Sequence, residues 1–229
     1  MNEFHDRTSA GRLLAVELAR MELDKPVVLA LPRGGVPVAF EIAKVLKAPL
    51  DLLLVRKIGL PAQPELAAAA VVDGERVDIV LNDEVVAWAG LDKETIGALA
   101  QRELKEIERR RRIYLSNRQP TSVTGHTVIL VDDGIATGTT VRAALKALAR
   151  RGAAHLVLAV PVAPADTALS LRGDVDDVVS LLTPQSFFGI GEFYRDFHQL
   201  SDDEVLAYLR EASHFASSSE EGEVDHSTS

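Results

Sequence analysis

Runs dominated by apolar residues punctuate the chain at 27–31, 50–55, 127–131, 155–160 and 177–182, each short and bounded by turn residues. Alternation of polar and apolar positions is missing from them, so each predicts a strand buried on both faces. Between these runs the apolar positions recur every three to four residues. That spacing predicts helices from a Ser9 cap to about Leu23, over 36–47, from Asp92 to about Arg118, near 139–151, and briefly after Pro164. The order strand, helix, strand predicts an α/β fold, doubly wound, with a mainly parallel sheet, helices on both faces and ligands at the carboxyl ends of the strands. One stretch departs from this rhythm. In "ELAAAAVVDGERVDIVLN" the pair Asp73-Gly74 separates two strand-like runs, which predicts a hairpin inserted in the fold.

A single domain is expected over 1–211, because 229 residues with 47% hydrophobic side chains can bury one substantial core and no internal repeat divides them. Residues 212–229, "ASHFASSSEEGEVDHSTS", are rich in Ser and Glu and are expected to be disordered.

Charge and composition remove several function classes. The 34 acidic against 25 basic residues give a net charge of −9, which attracts neither nucleic acid nor an anionic membrane. Arg109 to Arg112 are consecutive, but on a helix they point all round the axis and alternate with Glu103, Glu106 and Glu108, as solvated intrahelical pairs do. Cysteine is absent, and the six His show no HExxH-type spacing, so neither a disulfide nor a thiolate or zincin metal site is expected. The first residues lack a basic segment followed by an apolar block, and no apolar run approaches about 18 residues. The expectation is a cytoplasmic protein without a membrane partner.

Candidate chemistry concentrates in "TVILVDDGIATGTTVRAAL", residues 127–145. Here a strand ends on Asp132 and Asp133, a loop of small residues follows, and a helix begins near Thr139. A helix start offers free N–H groups and a positive dipole end, and small residues let those amides close round a phosphate. Two carboxylates beside a phosphate would repel it unless they address other parts of the same ligand, such as vicinal hydroxyls, or act with a divalent cation. A sugar phosphate meets both conditions. The P-loop pattern GxxxxGK[ST] and the dinucleotide pattern GxGxxG are both missing.

Four apolar residues, two acids, two further residues and "ATGTT" resemble the phosphoribosyl pyrophosphate (PRPP) signature of type I phosphoribosyltransferases. By that resemblance Asp132 and Asp133 bind the ribose hydroxyls, and Ala136, Thr137, Gly138, Thr139 and Thr140 the 5-phosphate. "LALPRGGVPVA" is similar to the family's pyrophosphate-binding loop, which implies that Arg33, Gly34 and Gly35 meet the leaving group. Arg56 and Lys57 in "LLLVRKIGLPAQPELA" stand at the end of the second predicted strand, like the bases before the family's mobile loop. "FFGIGEFYRDFHQLSDDEV" is similar to the aromatic segment of family members with "RKIG". The resemblance places it in a hood, about 183–200 with N-terminal elements, and makes Phe187, Phe188 and Tyr194 candidates for acceptor contact. It extends over roughly residues 8 to 210.

What the resemblance implies is a Mg²⁺-dependent transfer of the phosphoribosyl group of PRPP to a nitrogenous base or related small-molecule acceptor, with pyrophosphate leaving. Mg²⁺ is expected to arrive through PRPP, with Asp132 or Asp133 nearby and no other metal ligand. Ala136 stands where the 6-oxopurine branch carries an acid, which points away from hypoxanthine and guanine. The stretch from Gln63 to Ala70 also departs from its look-alikes. A homodimer is implied, with the mobile loop reaching a neighbour's site. The alternatives are a non-catalytic PRPP sensor and a phosphoribosyl-compound hydrolase.

Overall fold

The computed structural model describes residues 3–60, 63–74, 76–115 and 120–215. In chain order its elements are α1 (Arg7–Leu18), β1 (Pro26–Ala30), α2 (Gly35–Leu46), β2 (Leu50–Leu52), β3 (Val55–Leu60), β4 (Gln63–Val72), β5 (Asp78–Leu81), α3 (Asp83–Ala89), α4 (Lys93–Tyr114), β6 (Thr127–Val131), α5 (Thr139–Arg150), β7 (His155–Val162), α6 (Ala165–Leu171), β8 (Asp177–Leu182) and α7 (Asp202–Ala212). A 3-10 turn at Ile190–Phe193 precedes α7.

Five strands form one parallel sheet in the order β2-β1-β6-β7-β8. Its interior strand β6 is buried at every position, which is why its sequence shows no alternation. Side chains still alternate in direction. Ile129 and Val131 join the core made with Leu14, Leu18 and Ile42 of α1 and α2, while Val128 and Leu130 join the opposite core with Leu145 and Leu148 of α5. Each such Leu, Ile or Val contributes roughly 1.5–3 kcal/mol by leaving water. The edge strand β8 is half-buried throughout.

Differences from the sequence reading have local causes. Helix α1 starts earlier and is shorter than expected: Asp6, not Ser9, is the N-cap, its carboxylate accepting from the Ser9 amide at 2.7 Å while the Ser9 hydroxyl accepts from the Asp6 amide at 3.0 Å. Helix α4 closes at Tyr114, and residues 116–119 of the expected extension lie outside the described residues. Helix α3, which the pattern did not signal, is a short turn capped by Asn82, with no buried residue of its own.

The apolar run at 50–55 is divided between two sheets. Asp51 accepts from the amides of Leu52 and Thr121, both at 2.8 Å, and Leu53 makes a last bond to Ala30 at 3.0 Å. The chain then crosses into a separate antiparallel sheet, β3-β4-β5. Arg56 and Lys57 therefore lie within β3 of the second sheet, not at the end of the second strand of the parallel sheet. This second sheet is an arm braced by α4 and α5, and it contains the hairpin signalled by Asp73-Gly74. The expected disordered stretch begins with the last residue of α7, and 216–229 lie outside the described residues.

Candidate functional site

Strands β1 and β6 are parallel neighbours, so the loops leaving their carboxyl ends are brought together. After β1 the Leu31 amide continues the ladder to the Val131 carbonyl at 2.9 Å, and the chain turns through Pro32, Arg33 and Gly34 into α2. The Pro32–Arg33 peptide is cis. Contact between the loops is close enough to exclude side chains. A Cβ on Gly34 would stand 2.1 Å from Oδ2 of Asp133, and one on Gly35 would stand 2.6 Å from the Val131 carbonyl oxygen. Gly34 has an ordinary helical φ of −58°, so it is glycine for proximity and not for a left-handed backbone.

The loop after β6 is held from behind. The Ile135 amide donates to the Val162 carbonyl at 2.9 Å, and the Thr167 hydroxyl donates to the Ala136 carbonyl at 2.9 Å. Gly138 then takes a left-handed conformation, φ 73°, as the N-cap of α5, which only glycine adopts without cost. Ala136 and Thr137 are exposed, and the hydroxyls of Thr137 and Thr139 lie 3.2 Å apart. The first amides of α5 have no acceptor within the helix, so the loop presents donors and a positive dipole end at an open surface. A cleft of about 470 Å³ lies beside Thr139, between Arg142 and Lys146 of α5 and the Ala-rich face of β4.

The two acids differ in their surroundings. Asp132 is half-buried, and one of its oxygens accepts from the Asp133 amide at 2.9 Å. Burial, and then the charge of Asp133, push its pKa well above the usual carboxylate range. Asp133 is only 8% exposed. Burial raises its pKa as well, opposed by the Arg7 guanidinium, whose Nε donates to its Oδ2 at 2.8 Å.

Arg7 escaped the sequence reading. It is the first residue of α1, it is buried, and its Nη1 donates to the His198 carbonyl at 2.9 Å while its guanidinium lies 3.9 Å from the Phe197 ring centre. The only local signal was the Asp6-to-Ser9 capping box, which sets where α1 begins and hence where Arg7 points. Tyr194 closes the same cluster, its hydroxyl donating to the Asp133 carbonyl at 2.6 Å. Its ring lies against Phe4 and Phe197, and burial, followed by the charge of Asp133, raises its pKa. Tyr194 is 5% exposed and its hydroxyl is committed to the loop after β6. Phe187 stacks on Phe193, whereas Phe188 is 88% exposed.

Of the expected residues, Arg33, Gly34, Gly35, Asp132, Asp133 and Ala136 to Thr140 gather on the two neighbouring loops. Arg33 is 3.7 Å from Asp202 of α7, which also accepts from the Tyr114 hydroxyl. Arg56 instead pairs with Glu103 of α4 at 2.8 Å, and Lys57 is exposed with no ion pair among the described residues. No hydrogen bond or ion pair among the described residues joins either base to the loops. Nor do the described residues contain a group of three or more His, Cys, Asp or Glu able to hold a metal ion.

A family model for the phosphoribosyl transferase domain matches residues 5–198, spanning both loops, the arm and the aromatic segment. The chain belongs to the phosphoribosyl transferase domain family. Two curated proteins of Mycobacterium tuberculosis, from strains CDC 1551 and H37Rv, carry the name "Putative phosphoribosyl transferase" and are 49% identical over 212 residues. The alignment takes in 93% of this chain and 47% of theirs, so this phosphoribosyl transferase domain spans about half the length of those relatives. The crystal structure of TT1426 from Thermus thermophilus superimposes with a TM-score of 0.79 at 40% identity, covering 91% of this chain and 98% of that one. No helix among the described residues is long and apolar enough to cross a membrane.

Proposed function

We propose that the protein transfers the 5-phosphoribosyl group of PRPP to a nitrogenous base or similar small acceptor and releases pyrophosphate. One observation carries this reading: a glycine loop carrying Arg33 and a helix-start phosphate cradle leave adjacent parallel strands, with two acids packed between them. Each part matches one portion of PRPP. The amides and hydroxyls of Ala136 to Thr140 suit the 5-phosphate, Asp132 suits the ribose hydroxyls, and Arg33 with the amides of Gly34 and Gly35 suits the diphosphate.

Displacement at the ribose C1 builds positive charge on the ring and negative charge on the leaving group. A negative carboxylate near the ring and cationic groups near the diphosphate stabilise that charge separation more than the ground state. The remaining task is alignment of acceptor and C1, which fixed loops perform by removing orientational freedom. Two carboxylates without a third ligand fit a Mg²⁺ ion held chiefly by oxygens of PRPP itself, with Asp132 or Asp133 near. Such an ion would neutralise the diphosphate. Lys57, which has no ion pair in the arm, suits the same leaving group once the arm approaches it. The cytoplasmic setting and the homodimer belong to this proposal; the absence of cysteine and the family's mobile loop support them.

Calorimetry with PRPP, with and without Mg²⁺, tests the site. Micromolar binding that requires Mg²⁺ is expected, lost when Asp132→Asn and Asp133→Asn are combined. Absence of binding by the wild type overturns the proposal. Pyrophosphate release that depends on an added acceptor then separates a transferase from a sensor or a hydrolase.

A further inference from the structure

The acids 132 and 133 are adjacent in sequence but not equivalent in space. Asp133 is wedged between two partners: Arg7 on one side at 2.8 Å, and Gly34 on the other, where even a methyl group would overlap its carboxylate. Its backbone is committed too, through the carbonyl that accepts from the buried Tyr194 hydroxyl. Asp132 is the more exposed residue of the two, has no basic partner within ion-pair distance among the described residues, and accepts from the Asp133 amide at 2.9 Å.

We propose that the pair divides its work: Asp132 alone addresses the ribose, and Asp133, neutralised by Arg7, is a positioning residue that locks the Arg33–Gly35 loop to α1 and to the 194–198 segment. This rests on the phosphoribosyl reading of the site and assigns Arg7 to it as a second positioning residue.

The physical reason is charge. PRPP brings a phosphate and a diphosphate into a recess that already holds two carboxylates. A second bare anion there would repel the ligand and resist burial, whereas an ion pair with a buried guanidinium does neither. Arg7 is itself held in place, by the His198 carbonyl at 2.9 Å and by the Phe197 ring 3.9 Å away. The aromatic segment thereby acts on the site through Arg7. Charged or titratable groups facing this cluster are Asp132 and Asp133 from the end of β6, Arg7 from α1, and Tyr194 from the aromatic segment.

A charge-specific cycle tests the proposal. PRPP affinity in the presence of Mg²⁺ is measured by calorimetry for the wild type, Asp132→Asn, Asp133→Asn, Arg7→Gln and the double variant Arg7→Gln with Asp133→Asn. Loss of a ligand-facing carboxylate is expected to weaken binding by about a hundredfold in Asp132→Asn, and by no more than about tenfold in Asp133→Asn. Arg7→Gln exposes the Asp133 charge and is expected to cost at least about tenfold, most of which returns in the double variant. Arg7→Lys, which keeps the charge, is expected to fall between Arg7→Gln and the wild type. A merely structural Arg7 gives no such recovery, since the double variant then binds no better than Arg7→Gln. That result, or an Asp133→Asn variant as damaged as Asp132→Asn, overturns the division of labour. The second comparison stands even where Arg7→Gln does not fold. A wild type that fails to bind PRPP overturns the functional reading itself, which is a distinguishable outcome.

Discussion

At the carboxyl ends of β1 and β6 Gly34, Asp133 and the Ala136 carbonyl are each clamped by a neighbour, whereas on the arm Lys57 ends in solvent and Arg56 turns to Glu103. Both regions carry residues that the family resemblance assigns to the same ligand. The sheet edge is backed by two apolar cores, so its loops are set before any ligand arrives. The arm rests on its own antiparallel ladder, and β4 runs through Ala67 to Ala70, side chains that add little packing and favour strands weakly. Under the proposed function, fixed loops beside cations on a separate sheet are the division that a closing step requires. The arm is not loose at its root, however. There the buried Arg151 side chain donates to Asp78 at 2.8 Å and to the Val72 and Arg76 carbonyls at 3.2 and 3.0 Å.

The largest effect should come from that root. Arg151→Ala removes a donor from two carbonyls and leaves the Asp78 carboxylate only Arg76 at 3.8 Å, and is expected to cost about 3 kcal/mol or more, read as a lowered midpoint in urea unfolding. An unchanged midpoint would mean that the arm is anchored elsewhere. Gly34→Ala is expected to come next. Its Cβ has no room beside Asp133, so the loops must part, at about 1–3 kcal/mol of stability and with a marked loss of PRPP affinity. Were it to bind and melt like the wild type, the clamp between the loops would not be needed. The smallest effect on stability belongs to Lys57→Ala. An exposed lysine without an ion pair should leave the melting temperature unchanged while weakening PRPP binding or pyrophosphate release about tenfold. Equal loss of stability and binding would contradict the arm's proposed role as a mobile source of charge.

Much of the sheet edge was legible because its signals are local. The strand at 127–131, the two acids, the small-residue loop and the helix start occupy one continuous stretch, and burial on both faces writes itself as an unbroken apolar run. The hairpin at Asp73-Gly74 was legible for the same reason. What could not be read was set by contacts distant in sequence. The run 50–55 is apolar apart from Asp51 and carries no break signal at 53–54, yet a bond from the Leu53 amide to Ala30 and one from the Asp73 amide to Leu54 assign its two ends to different sheets. That Tyr194 is buried while Phe188 is exposed was equally hidden, because aromatic density carries no information about which rings are covered.

By itself the sequence determined the alternation of buried strands and helices, the position of the acid pair and of the small-residue loop before a helix start, and the net charge of −9. Those features depend on short-range periodicity, turn chemistry and summed charge, all carried by neighbouring residues. Only the tertiary structure decided that Arg7, 126 positions from Asp133, pairs with it, that Gly34 must lack a side chain, and that the two acids differ in exposure. Pairing, crowding and desolvation depend on which surfaces the fold brings into contact, and no local pattern records them.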